Sequence, residues 1–92
     1  MQKNTIHSKA HREIVGMLKR RRIELRITQA QLAAKVGRNR KWLQRIESCD
    51  RRLDIIETIV LFRVLDLDIN RAVCLVGKDP YRGSFFTWLM ND

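Results

Sequence analysis

The spacing of apolar residues along the chain predicts an almost entirely helical protein. Apolar positions recur three and four residues apart, as on one face of a helix, rather than two apart as on a strand. A first helix is predicted from about Ser8 to Leu25, after a largely polar segment, residues 1–7, that we expect to be flexible. Its inward-facing residues are expected to be Ala10, Ile14, Met17 or Leu18, and Leu25.

The second predicted helix has a signal at each end. Thr28 is placed to cap the helix, and Gln31, three residues on, is placed to reach back and complete a capping box. Gly37 ends the helix, because glycine adopts the left-handed backbone conformation without a Cβ penalty. These signals predict a short helix between residues 28 and 37.

A third helix is predicted directly after this glycine, from Arg40 to about Ser48, with Asn39 as its cap. Leu43 and Ile46 are expected to pack inward. The outward residues are then Arg40, Lys41, Gln44 and Arg45. A rigid rod of helical width that carries guanidinium, ammonium and amide groups suits the base edges and phosphates of the DNA major groove.

Two further helices are predicted in the second half of the chain. Asp54 and Glu57 form a second capping box, and the helix that follows, IIETIVLFRVLDL, is apolar enough that we expect neighbours on nearly all its sides. A short fifth helix is expected to be capped by Asn70 and to stop at Gly77. Pro80 then ends the regular part of the chain.

The last residues form a dense apolar cluster. A tail that only frays would not need two Phe and a Trp, so residues 80–92 either fold back on their own core or pack against a second subunit. The second arrangement is favoured because the five helices already suffice to close one core. The expected dimer-interface residues are Phe85, Phe86, Trp88, Leu89 and Met90.

The composition bounds the fold class and the compartment. Ninety-two residues, of which 45% are hydrophobic, suffice for one domain but not for two cores. No apolar run approaches the roughly 18–20 residues that span a bilayer, and the N-terminus lacks a secretory signal, so we expect a cytoplasmic protein without membrane contact. Cys49, in a predicted loop, and Cys74, expected in the core, have no metal-binding spacing.

The positive charge of the chain is concentrated in its first half. The net charge is +9, and residues 9–52 contain 14 Lys and Arg against four Asp and Glu, whereas residues 53–92 contain four against six. This separation indicates one half that faces a polyanion and another that serves core or partner contacts.

Few residues are suited to catalysis or metal binding. His7 and His11 are four residues apart, a spacing that holds a metal on a helix, but no third ligand is nearby. The chain has no phosphate-binding glycine loop, nucleophile elbow or carboxylate cluster. We therefore expect no enzyme activity, no metal and no cofactor.

From Leu18 to Leu67, about fifty of the 92 residues, the chain resembles the phage-repressor-like (Xre/Cro-type) helix-turn-helix family. The matching elements are, in order, an Arg-rich first helix, T-Q-x-x-L-A in the second, Val-Gly at the turn, an apolar-x-x-apolar-Glu end to the third, and RRLD before an apolar helix. The resemblance implies an all-α, five-helix lambda-repressor-like DNA-binding domain over residues 8–79, followed by the C-terminal apolar tail. It also implies a nucleoid-associated protein of a bacterial or phage-type cytosol.

The resemblance also implies roles for individual residues. Arg40, Lys41 and Gln44 are implied to contact base edges, with Arg45 shared between base and phosphate. The residues implied to contact phosphates are Gln29, Arg38, Asn39, Arg51 and Arg52. Two of these assignments are open: Asn39 either adds a backbone contact or serves only as a cap, and one of the two loop arginines, 51 and 52, either contacts phosphate or pairs with an acid of the fourth helix.

Two further positions matched to the family concern structure rather than contact with DNA. Arg22 and Glu47 match an ion pair that orients the first helix against the third.

Two residues depart from the family pattern. Cys49 stands where glycine is common, so a less sharp turn is expected. Trp42 stands where a small or polar residue is common, and it either packs on the second helix, which we favour, or reaches a sugar or a thymine methyl group.

The sequence therefore predicts a sequence-specific regulator of transcription, a repressor, that binds double-stranded DNA as a homodimer on an inverted-repeat operator. The alternative is an antitoxin or anti-activator that keeps the helix-turn-helix fold and binds another protein through its tail. Nonspecific RNA binding ranks lower, because it usually employs exposed aromatic side chains for stacking.

Overall fold

Five helices follow one another through residues 9–77, which are the residues that the computed structural model describes. The helices are α1 (Lys9–Glu24), α2 (Gln29–Lys35), α3 (Arg40–Glu47), α4 (Ile55–Val64) and α5 (Ile69–Gly77). No strand occurs in this range, so the all-helical prediction is confirmed for it. The predicted flexible segment 1–7 and the apolar tail 80–92 lie outside the described residues.

One apolar cluster joins the five helices. Its most deeply buried large side chains, each less than 2% exposed, are Phe62, Leu32, Leu43, Ile46, Leu61 and Leu65. α2 packs mainly against α3, α1 contacts both α3 and α5, and α4 contacts α5. Every helix therefore contributes to a shared core, and α3 is held by the two helices that precede it.

The first helix differs from its prediction at its end. Ala10, Ile14, Met17 and Leu18 are all buried, but the prediction for Leu25 is wrong, because that side chain is 40% exposed. The helix ends at Glu24, and the chain leaves the helical path in a turn in which Arg26 has a φ of 58°. The helical periodicity that placed Leu25 inward no longer applies there.

Side-chain caps begin the next three helices. Thr28 Oγ1 accepts from the Gln31 N–H at 3.0 Å and the Gln31 side chain accepts from the Thr28 N–H at 2.9 Å, which confirms the first capping box. Asp54 and Glu57 form the second box, with distances of 2.7 and 3.1 Å. Asn39 Oδ1 accepts from the backbone N–H of the third residue of α3 at 2.9 Å. All three caps were predicted from local sequence.

The cap of α5 was assigned to the wrong residue. The helix begins at Ile69, and the carboxylate of Asp68 accepts from the Asn70 N–H at 3.0 Å. The carbonyl oxygen of Asp68 also accepts from the Arg71 N–H at 3.0 Å. Asp68 therefore occupies the capping position that we had predicted for Asn70, which lies inside the helix.

The prediction that α4 is nearly surrounded is also wrong. One side of the helix is buried, through Glu57, Leu61 and Phe62, but its other side exposes a row of isoleucine and valine side chains. The expected core position of Cys74 on α5 is wrong for a similar reason, since this residue is exposed. High apolar content along a helix does not show how many sides of the helix have neighbours.

The turns after the helices use left-handed backbone at four positions. Gly37 has a φ of 74°, as its predicted role in ending α2 requires, and Arg26, Cys49 and Asp66 have φ values near 60°. Cys49 therefore adopts the conformation that glycine favours, although it carries a side chain. The turn after α3 is as sharp as a glycine turn, contrary to the expectation from the sequence.

Replacing Gly37 by alanine should destabilise the fold by about 1–2 kcal/mol through backbone conformation alone. A Cβ at this position meets no atom within 4 Å, so no steric clash contributes. Urea unfolding measures the loss. The matched control is Gly16→Ala inside α1, where helix propensity should stabilise by roughly 0.5–1 kcal/mol and the new Cβ meets only the flexible end of Arg20, at 3.3 Å. Unchanged stability of the Gly37 variant would refute the argument.

Candidate nucleic-acid interface

The outward face of α3 presents four exposed polar side chains, Arg40, Lys41, Gln44 and Arg45. Within the described part of the chain, none of these four side chains forms a hydrogen bond or an ion pair. On the opposite face, Leu43 and Ile46 are 2% and 1% exposed and fix the helix to the core. The division between a buried stripe and an exposed basic face is as predicted, and it leaves three cations and an amide available to a ligand.

The C-terminal end of α3 is held by a buried carboxylate. Glu47 accepts two hydrogen bonds from the guanidinium of Arg22, with Nε at 2.7 Å and Nη2 at 3.0 Å. The side chains of Glu47 and Arg22 are only 4% and 12% exposed, so this predicted ion pair is present and largely withdrawn from solvent. Arg22 also donates through Nη1 to the carbonyl oxygen of Ile27 at 2.8 Å, which fixes the start of the turn into α2.

Gln29, in the first turn of α2, joins the same carboxylate. Its Nε2 donates to Glu47 Oε1 at 2.9 Å. One carboxylate thus receives donors from α1 and α2 while belonging to α3, and this connection sets the orientation of α3 against both helices. The Gln29 side chain is engaged inside the protein, so its predicted contact with phosphate remains a prediction.

A second buried carboxylate lies near the start of α3. Glu57 on α4 is 9% exposed and accepts from both terminal nitrogens of Arg51, at 2.9 and 3.0 Å. The Nη2 of Arg38, in the turn before α3, lies 3.7 Å from the same carboxylate. Arg51 therefore pairs with an acid of the fourth helix, as was expected of one of the two loop arginines.

Trp42 lies between these charged groups. The guanidinium carbons of Arg38 and Arg51 are 5.2 and 5.9 Å from the centroid of its ring, which is within the range of a cation–π interaction. The indole packs against the apolar core, while its predicted packing on the second helix in particular stays a prediction, and its Nε1 is buried without a hydrogen-bond partner among the described residues. Trp42 thus holds two arginine side chains beside the first turn of α3.

The remaining predicted phosphate contacts differ in how available they are. Arg38 is 51% exposed and its ion-pair distance is long, so its charge faces solvent as well as Glu57. Asn39 is exposed, but its Oδ1 is occupied as the cap of α3. We conclude that Arg38 is more available to an anion than Arg51, which the sequence alone did not distinguish.

The sequence predicts an acid of the fourth helix as a partner for a loop arginine but does not identify Glu57, and it predicts packing or groove contact for Trp42 but no cation–π contact. Glu57 was identified as part of a capping box, yet it also neutralises Arg51. The available signal was a pair of arginines two and three residues before the cap, with an acid at the third position of the helix. An aromatic residue between basic residues was the corresponding signal for Trp42.

The Arg51–Glu57 pair shifts both ionisations toward the charged forms. The two hydrogen bonds from Arg51 lower the pKa of the Glu57 carboxyl below its ordinary value, against the opposing effect of burial, and the capping N–H of Asp54 contributes in the same direction. The hydrogen bonds to Glu57 likewise raise the pKa of Arg51. The pair therefore remains ionised at neutral pH.

The described range contains neither a metal-binding cluster nor a membrane-spanning helix. Residues 9–77 contain no group of three or more His, Cys, Asp or Glu side chains that could hold a metal ion, and none of their helices is long and apolar enough to cross a membrane. His7 lies outside this range, and His11 Nε2 accepts from the backbone N–H of Leu53 at 3.3 Å. His11 thus links α1 to the residue before the cap of α4.

Comparison with known proteins gave no match. No protein-family model matches the chain, and neither a curated protein nor a solved structure does so.

Replacing Glu57 by glutamine should lower stability at pH 7 by about 1–2 kcal/mol, because Arg51, one third exposed, loses a charged partner that solvent only partly screens. Since the pKa of Glu57 is lowered in the folded state, its stabilisation is present above the ordinary carboxyl pKa and is lost as the pH falls through the folded-state value.

Urea unfolding of wild type and variant between pH 7 and pH 3 measures this effect. The difference in unfolding free energy should be largest at neutral pH and should shrink on acidification. The exposed Glu13→Gln is the matched control and should follow wild type. A difference that is constant across the whole pH range would contradict the assignment of the stabilisation to the charged form.

Proposed function

We propose that this protein is a sequence-specific regulator of transcription that binds double-stranded DNA as a homodimer on an inverted-repeat operator. The observation that carries the proposal is the outward face of α3, on which Arg40, Lys41, Gln44 and Arg45 are exposed and without partners in the described range. Recognition in the DNA major groove needs polar side chains that a rigid helix holds in place and that form no hydrogen bond or ion pair inside the protein. We expect the regulator to repress transcription, because the chain resembles phage repressors.

The proposed docking places the first turn of α3 in the major groove. Arg40 and Lys41 would then meet guanine O6 and N7, Gln44 would meet adenine N6 and N7, and Arg45 would be shared between a base and a phosphate. The brace through Glu47 supports this arrangement, because a recognition helix must keep one orientation for its side chains to reach the same base pairs each time. Desolvation offsets much of the attraction in such a pair, so we assign Glu47 an orienting role.

Phosphate contacts are proposed on both sides of this helix. Arg38, which is half exposed beside the first turn of α3, is the leading candidate, with Gln29, Asn39 and Arg52 nearby along the chain. Arg51 is a weaker candidate than the sequence suggested, since both of its terminal nitrogens donate to Glu57. The charge separation between residues 9–52 and the rest of the chain supports a polyanion as the ligand of this half.

We propose a homodimer because one helix reads too few base pairs for a specific operator. A single helix contacts only a few base pairs, and two-fold pairing doubles the site when half-sites lie one helical turn apart. The expected contribution of the tail residues 85–90 to the dimer lies outside the described residues. The alternative function, an antitoxin or anti-activator that binds another protein, relies on that same tail.

Arg40→Ala and Lys41→Ala should each weaken binding to the cognate operator by about 1–3 kcal/mol and relax base preference at one position of each half-site. The cognate sequence is obtained by selecting bound sites from random double-stranded DNA with the purified protein, and the affinities by band-shift titration. The matched control is Arg71→Ala, which removes an exposed charge from α5 and should bind nearly as wild type does. If the selection recovers no preferred sequence, a protein partner is favoured instead.

Operator affinity should also fall steeply with salt, because phosphate contacts release counterions. Each neutralised phosphate contributes about 0.9 to the slope of log affinity against log salt concentration. Arg38→Ala should therefore reduce the slope by about 1 per subunit without changing base preference, whereas Arg51→Ala should act mainly on folding stability. Titrations between 50 and 300 mM salt test the difference. Affinity that is insensitive to salt would exclude phosphate contacts as its main source.

A further inference from the structure

The outer side of α4 is an apolar surface without a neighbour in the described range. Ile55 and Ile56 are 70% and 66% exposed, and Ile59, Val60 and Val64 are each more than a third exposed. At 100° per residue, these five positions and Arg63 cover one half of the helix, opposite the half that carries Glu57, Leu61 and Phe62. We call the five apolar residues the α4 face.

The size of the α4 face matches the centre of a protein interface. The five exposed fractions correspond to about two and a half fully exposed aliphatic side chains, or roughly 400 Å². A pair of such faces buries about 800 Å² before any polar rim is added, and stable interfaces total roughly 1,200–2,000 Å² with an apolar centre inside a polar rim. Two copies of this face thus supply the centre of an interface of ordinary size.

The charges around the α4 face favour a second copy of the same chain. Residues 53–77 carry two basic and four acidic residues, whereas residues 9–52 carry a net charge of +10. Contact through α4 therefore joins two mildly acidic surfaces instead of the two strongly basic halves. Arg63, which lies among the five apolar positions, is exposed and has no partner among the described residues. Arg63 lies toward the C-terminal end of α4, so an antiparallel arrangement places the two Arg63 side chains at opposite ends of the contact and keeps these like charges apart.

We infer that two copies of this chain associate through their α4 faces, with the two α4 helices antiparallel about a two-fold axis. This inference rests on the proposed function, because that function requires a homodimer. It places the dimer contact on α4, within the helical domain, where the sequence predicts a contact through the tail. A two-fold contact needs a surface that is complementary to itself, and an aliphatic row whose one neighbouring charge, Arg63, lies toward one end meets that need. The basic face of α3 takes no part in the contact and stays available.

The test is the association constant of the full chain with two of the isoleucines replaced. Ile55→Glu/Ile56→Glu places carboxylates in the first turn of α4, where they favour the helix, so folding should be retained. Burying these charges in the contact should weaken dimerisation at least about 100-fold in sedimentation equilibrium. Val60→Lys, one turn further on, repeats the test with the opposite charge. Ile23→Glu, at a 55% exposed isoleucine of α1, is the matched control and should dimerise as wild type does.

Two results would overturn the inference. If both α4 variants dimerise like wild type, the contact lies elsewhere. If the full wild-type chain is a monomer at every protein concentration, something other than a second copy covers the α4 face. A lower melting temperature of the α4 variants would then identify the chain's own tail as the occupant. An unchanged melting temperature would point to a different protein. Binding to a single half-site separates this failure from that of the proposed function, because half-site affinity depends on α3 and should be equal in all variants.

Discussion

The arrangement of α1, α2 and α3 depends on the hydrogen bonds that the buried carboxylate of Glu47 accepts. A charge with 4% exposure is tolerated only if donors replace its lost water, and here Arg22 and Gln29 supply three hydrogen bonds from two other helices. Any rotation of α3 would break these bonds and leave the charge unpaired. The apolar core gives the domain its stability, while this network restricts α3 to one orientation within it.

The arginines of the basic half fall into two groups according to whether an acid or a carbonyl oxygen already engages them. Arg22 and Arg51 form two-point contacts with buried carboxylates, and Arg21 donates to the carbonyl oxygen of Leu65 at the end of α4. The cations on the outer face of α3, in contrast, pair with no acid or carbonyl oxygen of the described residues. Net charge alone would not separate the two groups, because all of these residues count equally toward it.

Local interactions explain what could be predicted from the sequence, and distant ones explain what could not. The caps of α2, α3 and α4 depend on residues three positions apart, so their residue types were sufficient to identify them. The exposure of Leu25 and Cys74, the pairing of Arg51 with Glu57, and the side of α4 that has no neighbour in the described range depend on where other helices lie. Asp68 was missed because Asn70, two residues later, is an equally acceptable capping residue type and only the backbone path separates them.

The position of Trp42 gives the protein an intrinsic optical probe of this interface. The chain has two tryptophans, and Trp42 is the one within the described domain. Its indole lies beside two guanidinium groups, and one of these, on Arg38, is the group that an approaching anion would draw away. The emission of Trp42 therefore depends on the state of the surface around the first turn of α3, and in a chain whose Trp88 is replaced it can be followed without a label.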